Sequence, residues 1–301
     1  MRVSFCTTVH NRLPQFARTF DHNASRVLAD PGAEWIVLNF NSSDRLDQFM
    51  AERLPCLPPR VVYARDTSGR RWHVSVAKNI AHRLASGEAL MNLDADQRVL
   101  DAADVLRRHL GHGVELLHLW NRVKGEGTYG KIAITRELFY RLGGYDESFY
   151  PMGYQDEDLL RRAEAAGART AREPCARHWA IRNTKVESIE HCRVGSLTWR
   201  ELWWLNLERS KANIAEGTLT ANRNAPWGVL VGDCESGHLQ PPRPGSTSGT
   251  EQADVYEWPV PLLWHLEERA ARQANRVRSL RLRLAAVRRA LPGPSSPPPP
   301  A

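Results

Sequence analysis

The stretch that decides the fold is "EALMNLDADQRVL", residues 88–100. An apolar run, Ala89 to Leu93, leads straight into Asp94-Ala95-Asp96. Side chains alternate along an extended chain, which predicts that Asp94 and Asp96 face one way and Ala95 the other. Two carboxylates that close repel, and each raises the other's pKa. The pair therefore calls for something positive between them. A divalent cation held by hard oxygens, bridging a diphosphate, meets that need.

Outward from this stretch, strand and helix signals alternate. "RVSFCTTV" (2–9), "EWIVLNF" (34–40), "RVVYAR" (60–65) and "ALMNL" (89–93) read as strands. Asn11 and Pro14 open a helix over 15–29, closed by "DPG". "NSSD" leads into a helix at "RLDQFMAERL". In "VSVAKNIAHRLAS" (74–86), Val76, Ile80 and Leu84 recur at helical spacing. The alternation predicts an α/β fold with a mostly parallel, doubly wound sheet flanked by helices. In such sheets ligands bind beyond the carboxyl ends of the strands, where Asp94 and Asp96 stand. "VELLHLW" (114–120) and "GKIAITR" (130–136) add strands, and "QDEDLLRRAEAAG" (155–167) adds a helix.

That last helix carries Asp156, Glu157 and Asp158 in its first turn. Acids there complement the helix dipole in any protein. The preceding "GGYDESFYPMGY" is less ordinary, and a carboxylate at a helix mouth beside a substrate suits a general base. His178, in "EPCARHWAI", is a candidate metal ligand because imidazole joins carboxylates around Mn²⁺. His191 is the rival candidate. No convincing nucleophile–base pair stands out.

The chain has 301 residues, 42% hydrophobic and 25% charged, within the range of globular proteins. Its five cysteines, Cys6, Cys56, Cys175, Cys192 and Cys234, form no CxxC pair and read as reduced thiols of a cytoplasmic protein. The N-terminus lacks signal-peptide character, and no apolar run reaches transmembrane length.

The motifs together resemble the GT-A class of nucleotide-sugar-dependent glycosyltransferases. "FCTTVHNR" is similar to that class's first strand and uridine-binding turn, and "WIVLNFNSSD" to its second strand. "VAKNIAHRLASGEALMNLDADQRV" resembles its helix, strand and DXD motif. "GKIAITRELFYRLGGYDESFYPMGYQDEDLLRRAEAAGA" resembles its acceptor-side segment. The nearest likeness is to family-two enzymes, with a C-terminal part like the β-1,4-galactosyltransferase and chondroitin-polymerase group, over residues 2–228. "TWRELWWLNLERSKANIAEGTLTAN" echoes a helix of the galactosyltransferase-like members.

The resemblance implies a GT-A, Rossmann-like sheet and a metal-dependent, inverting sugar transfer from a nucleotide-sugar, a UDP-sugar by the uridine-turn likeness. It implies Asp96 as main metal carboxylate, Asp94 on ribose or metal, and His178 completing the shell around Mn²⁺ or Mg²⁺. It implies Asp156 as base, and Thr8, His10, Arg12, Asn39 and Asn79 lining the nucleoside pocket. Two departures stand out. Asn39 replaces the usual aspartate, and Gln155 replaces the glutamate before the base. A sugar-nucleotide-forming nucleotidyltransferase is the rival enzyme, although "TTVHNR" is not its glycine-rich basic loop. A degenerate nucleotide- or sugar-binding module is the non-enzymatic rival. The acceptor is left open among glycan, lipid-linked saccharide, peptide and natural product. Trp199, Trp203 and Trp204 are candidates to stack on it, with packing against the core as the favoured reading.

The domain plan is a transferase domain over 1–228, a Gly/Pro/Ser-rich linker over 229–260, a basic amphipathic helix over 261–291 and a Pro-rich tail over 292–301. Net charge is +7, and the last 48 residues, with eight arginines against four acids, hold +4 of it. In a parallel homodimer of the basic helix, Arg276 would face Arg281 and Arg283 would face Arg288, which disfavours a simple coiled coil. An acidic protein partner, the enzyme's own body or an anionic membrane surface suits this helix better, giving a cytoplasmic protein peripheral at the membrane. Nucleic acid is disfavoured, because the helix lacks interleaved aromatics.

Overall fold

The computed structural model describes residues 1–99, 101–120, 129–173, 180–181, 183–192 and 194–236. His178, the basic helix and the proline-rich tail lie outside the described residues.

Four strands form the parallel centre: β1 (Val3–Val9), β2 (Ala33–Phe40), β3 (Val61–Asp66) and β4 (Ala89–Asn92). β1 lies between β2 and β4, and β3 pairs with β2. Beyond β4, β6 (Ile132–Thr135) runs antiparallel to β4 and to β5 (Leu116–His118). β7 (Thr170–Arg172) extends the sheet on β5, and β8 (Gly232–Ser236) pairs antiparallel with β3. The order is β7-β5-β6-β4-β1-β2-β3-β8. The mostly parallel α/β sheet expected from the sequence is present.

The central strands are buried on both sides because both faces of the sheet are covered. Phe5, Trp35, Val37 and Met91 point into one core, with Phe16 and Phe20 of α1 (Leu13–Leu28) and Leu106 of α4 (Ala102–Leu110). Cys6, Ile36, Leu38 and Leu90 point into the other. There they meet Ala77 and Ile80 of α3 (Val74–Leu84), Phe139 of α5 (Arg136–Arg141) and Leu159 of α6 (Gln155–Ala165). The helix read at 45–54 is shorter: α2 (Leu46–Ala51), then a 3-10 turn at Leu54–Cys56.

Residues 232–236, read from sequence as linker, instead form edge strand β8. Arg65 clamps it by ion pairs to Asp233 and Glu235. α7 (Lys185–Ile189) and α8 (Trp199–Ala215) both start with capping boxes, Thr184–Glu187 and Thr198–Glu201. No helix among the described residues is long and apolar enough to cross a membrane.

Candidate active site

The site grows from the end of β4. The strand stops at Asn92, whose amide donates to Asp94 Oδ1 and to the Gly130 carbonyl, both at 2.9 Å. The chain then turns, with Gln97 N–H donating to the Asp94 carbonyl at 2.9 Å. The extended alternation assumed for Asp94 and Asp96 is therefore wrong in form, because the two acids lie on a turn. They are neighbours all the same. Burial, then the Asp94 charge, pushes the Asp96 carboxyl up to about 7. Asp94 Oδ2 accepts from Gln97 Nε2 at 2.8 Å. Asp96 Oδ2 accepts from Asn183 Nδ2, while Asp96 Oδ1 is buried with no partner. An orphaned, buried carboxylate oxygen beside a second acid fits a hard divalent cation.

Residues 180 and 181 lie against this turn. Ile181 N–H donates to the Asp96 carbonyl at 2.8 Å, and Ala180 bridges Gln97. His178 itself falls outside the described residues. His191 packs edge-on against His10, ring centroids 5.1 Å apart. Among the described residues no third His, Cys, Asp or Glu joins Asp94 and Asp96 in a metal-binding group.

Asp156 sits in the first turn of α6. Its Oδ1 is ion-paired at 2.7 Å with Lys78 Nζ, whose side chain is only 3% exposed. Burial pulls the Lys78 ammonium's pKa down, but the charges of Asp156 and Asp94 outweigh it and the net shift is upward. Gly130 stands close to both Asp156 and Asp94. A Cβ built on it would lie 3.0 Å from Asp156 Oδ2 and 3.2 Å from Asp94 Oδ2. Glycine thus keeps open the space that the two carboxylates share.

The expected nucleoside residues divide. Thr8 is half-buried near the end of β1. His10 stacks on Trp72 (5.6 Å, 10°), its Nδ1 2.5 Å from the Phe40 carbonyl, and burial lowers its pKa. Arg12 donates to the Glu187 carbonyl at 2.5 Å, and its charge reaches Asp96. Asn39 donates to Asp47 and the Tyr63 hydroxyl and accepts from Ser42 N–H. Asn79 does not line an open pocket. It is 0% exposed, and its amide is spent on both backbone groups of Tyr145 and on Glu147. It clasps the "GGYDE" segment to α3. Gln155 is likewise internal, donating to the Tyr150 carbonyl at 2.9 Å.

Sequence reasoning missed Lys78, Gly130 and Asn183. Lys78 lies off the Val76–Ile80–Leu84 stripe, so periodicity put it toward solvent. Only its neighbour Asn79, in a motif already singled out, hinted at the region. The tryptophans follow in part the favoured reading that some of them pack on the core, Trp203 against buried Tyr154. Trp199, Trp203 and Trp204 are all half-buried, and Leu202, Asn206 and Ser210 form the buried stripe of α8. Trp203 meets Tyr154 edge-on, with ring centroids 5.1 Å apart.

Residues 4–137 match the family model for glycosyl transferase family 2, and residues 108–191 match that for the N-terminal domain of galactosyltransferase. The chain is a GT-A glycosyltransferase. The second model ends at His191 and so takes in α6 and residues 180, 181 and 183 beside Asp96 of this transferase. None of the curated proteins compared with it matches.

Solved structures repeat the transferase fold. One is a mannosyltransferase, PcManGT, from Pyrobaculum calidifontis, in complex with GDP-Man and Mn²⁺. It is 20% identical, with 71% of this chain and 69% of that one covered and a TM-score of 0.51. Another is TarS 1–349 of S. aureus in complex with UDP-GlcNAc. It is 15% identical, with 74% and 68% covered and a TM-score of 0.55.

Proposed function

We propose that this transferase moves a sugar from a nucleotide-sugar, a UDP-sugar in the first instance, to an acceptor hydroxyl by a single inverting displacement. The observation that carries the reading is the convergence of Asp156 Oδ2 and Asp94 Oδ2 on Gly130, where a Cβ would lie 3.0 Å and 3.2 Å from them. A base and an acid pair facing one space suit attack on one side of a sugar and departure of a diphosphate on the other. The GDP-Man and UDP-GlcNAc in the two similar structures support a nucleotide-sugar donor.

Asp94 and Asp96 would hold the divalent cation, Mn²⁺ or Mg²⁺, with His178 completing the set. Bound there, it supplies Lewis-acid stabilisation to the leaving diphosphate. Thr8, His10, Arg12 and Asn39 would border the nucleoside, and the stacked His10–Trp72 pair offers it an aromatic wall. Asp156 takes the proton of the attacking hydroxyl. The half-buried Trp199, Trp203 and Trp204 offer ring faces to the acceptor sugar.

The test is a panel of nucleotide sugars with Mn²⁺, read by thermal stabilisation and by release of nucleoside diphosphate. The expected result is Mn²⁺-dependent turnover of one donor, abolished in Asp96→Ala. Absence of both stabilisation and turnover with every donor and metal overturns the reading.

A further inference from the structure

The two oxygens of the Asp156 carboxylate are not equivalent. Oδ1 is held at 2.7 Å by the Lys78 ammonium, and Oδ2 faces Gly130. The Asp156 side chain is 22% exposed against 3% for Lys78, so the cation is on the inner side of the base.

We propose that Lys78 is a positioning residue for the base: it pins Asp156 Oδ1 and leaves Oδ2 as the atom that takes the acceptor's proton. This rests on the reading of Asp156 as base. The step then balances. The acceptor O–H proton passes to Asp156 Oδ2 as the acceptor oxygen bonds to the anomeric carbon. The bond from that carbon to the diphosphate breaks, and the diphosphate leaves with the electron pair.

Three observations favour positioning over mere structural support. Lys78 projects from α3, a regular helix, and its backbone carbonyl is engaged by His82 Nδ1 at 2.7 Å. The Tyr145 ring lies 5.1 Å from Nζ, which limits where the ammonium goes. The task of holding α3 to the segment before α6 is already met next door, where Asn79 makes three hydrogen bonds to Tyr145 and Glu147. An ammonium that is redundant for docking, yet aimed at the reactive carboxylate, fixes an orientation. Misplacing a reacting group by an ångström costs about 100-fold in rate.

The experiment is a double-mutant cycle on the full chain, with Mn²⁺-dependent donor hydrolysis as the reaction and UDP binding and Tm as companions. Lys78→Met is expected to lower kcat by about 100-fold with the donor KM within threefold of the original. In the Asp156→Asn background the same change is expected to leave kcat unaltered, because the group it positions is gone. Lys78→Arg keeps a cation and a donor and is expected to retain more activity than Lys78→Met. It serves as the reference pair if Lys78→Met fails to fold. An equal loss in both backgrounds, a loss carried wholly by KM, or equal activity of Arg and Met variants overturns the proposal. Turnover by the unmodified enzyme with no effect of Lys78→Met overturns this inference alone. No turnover by the unmodified enzyme removes the base reading beneath it.

Discussion

The side-chain amide of Asn183 donates to Asp96 Oδ2, while Asp96 Oδ1 lies buried with no partner. The amide thus occupies one oxygen of the carboxylate proposed to bind the cation. Asn183→Ala removes that competitor. A hydrogen bond to a charged group is worth about 1.5–3 kcal/mol. Mn²⁺ affinity, measured by calorimetry without donor, is expected to rise about tenfold. An unchanged or weaker affinity would assign Asn183 to the cation's own shell.

Gly130 is buried and carries no side chain where Asp94 and Asp156 approach. Gly130→Ala places a methyl 3.0 Å from Asp156 Oδ2 and 3.2 Å from Asp94 Oδ2. Its effect falls on the shared space more than on the fold. Turnover is expected to fall at least about tenfold, with Tm moved by only a few degrees. Steady-state kinetics beside a thermal melt checks this.

His73 caps α3 by accepting Val76 N–H at Nδ1, with Nε2 at 2.9 Å from the Phe149 carbonyl. Burial pushes its pKa down to about 4 from the ordinary 6.5. The unfolded chain therefore takes a proton that the folded chain refuses. The stability concerned is fully present above pH 6.5 and is lost as pH falls toward 4, by up to about 1.4 kcal/mol per pH unit. His82, also down at about 4 through burial, adds a second loss in the same window. Asparagine is a good cap and does not titrate. His73→Asn is expected to lose less Tm than the original between pH 7 and pH 5, by scanning calorimetry.

Arg162 and Asp158 form an ion pair at 2.7 Å in which each side chain is 1% exposed. Arg162 also donates at 2.8 Å to the carbonyls of Leu142 and Gly144. It thereby fixes the glycine turn that precedes α6 and Asp156. Arg162→Met strands a buried carboxylate and is expected to destabilise by about 3–5 kcal/mol. Asp158→Asn combined with Arg162→Met is expected to be milder, by chemical denaturation.

The central sheet was legible because its signals are local. "RVSFCTTV", "EWIVLNF", "RVVYAR" and "ALMNL" are short runs rich in β-branched, aromatic and other apolar residues, as strands covered on both faces tend to be. Asp94, Asp96 and Asp156 were also legible, as acids at element ends. Strand β8 was not. "GDCES" has no apolar alternation, and it joins the sheet through backbone pairing and the Arg65 ion pairs. The turn at Asp94–Asp96 was misread for a similar reason: the hydrogen bonds that bend it, from Asn92 and Gln97, leave no trace in hydropathy.

The sequence by itself determined the alternating strands and helices of the parallel centre and which acids end them, because burial periodicity and turn chemistry act between near neighbours. Tertiary structure alone decided that Lys78 turns inward to Asp156, that Asn79 clasps a loop instead of lining a pocket, and that Gly130 lies close to both Asp156 and Asp94. These relationships join residues far apart in the chain. Their energies come from charge and desolvation at a point in space, which no pattern along a single segment records.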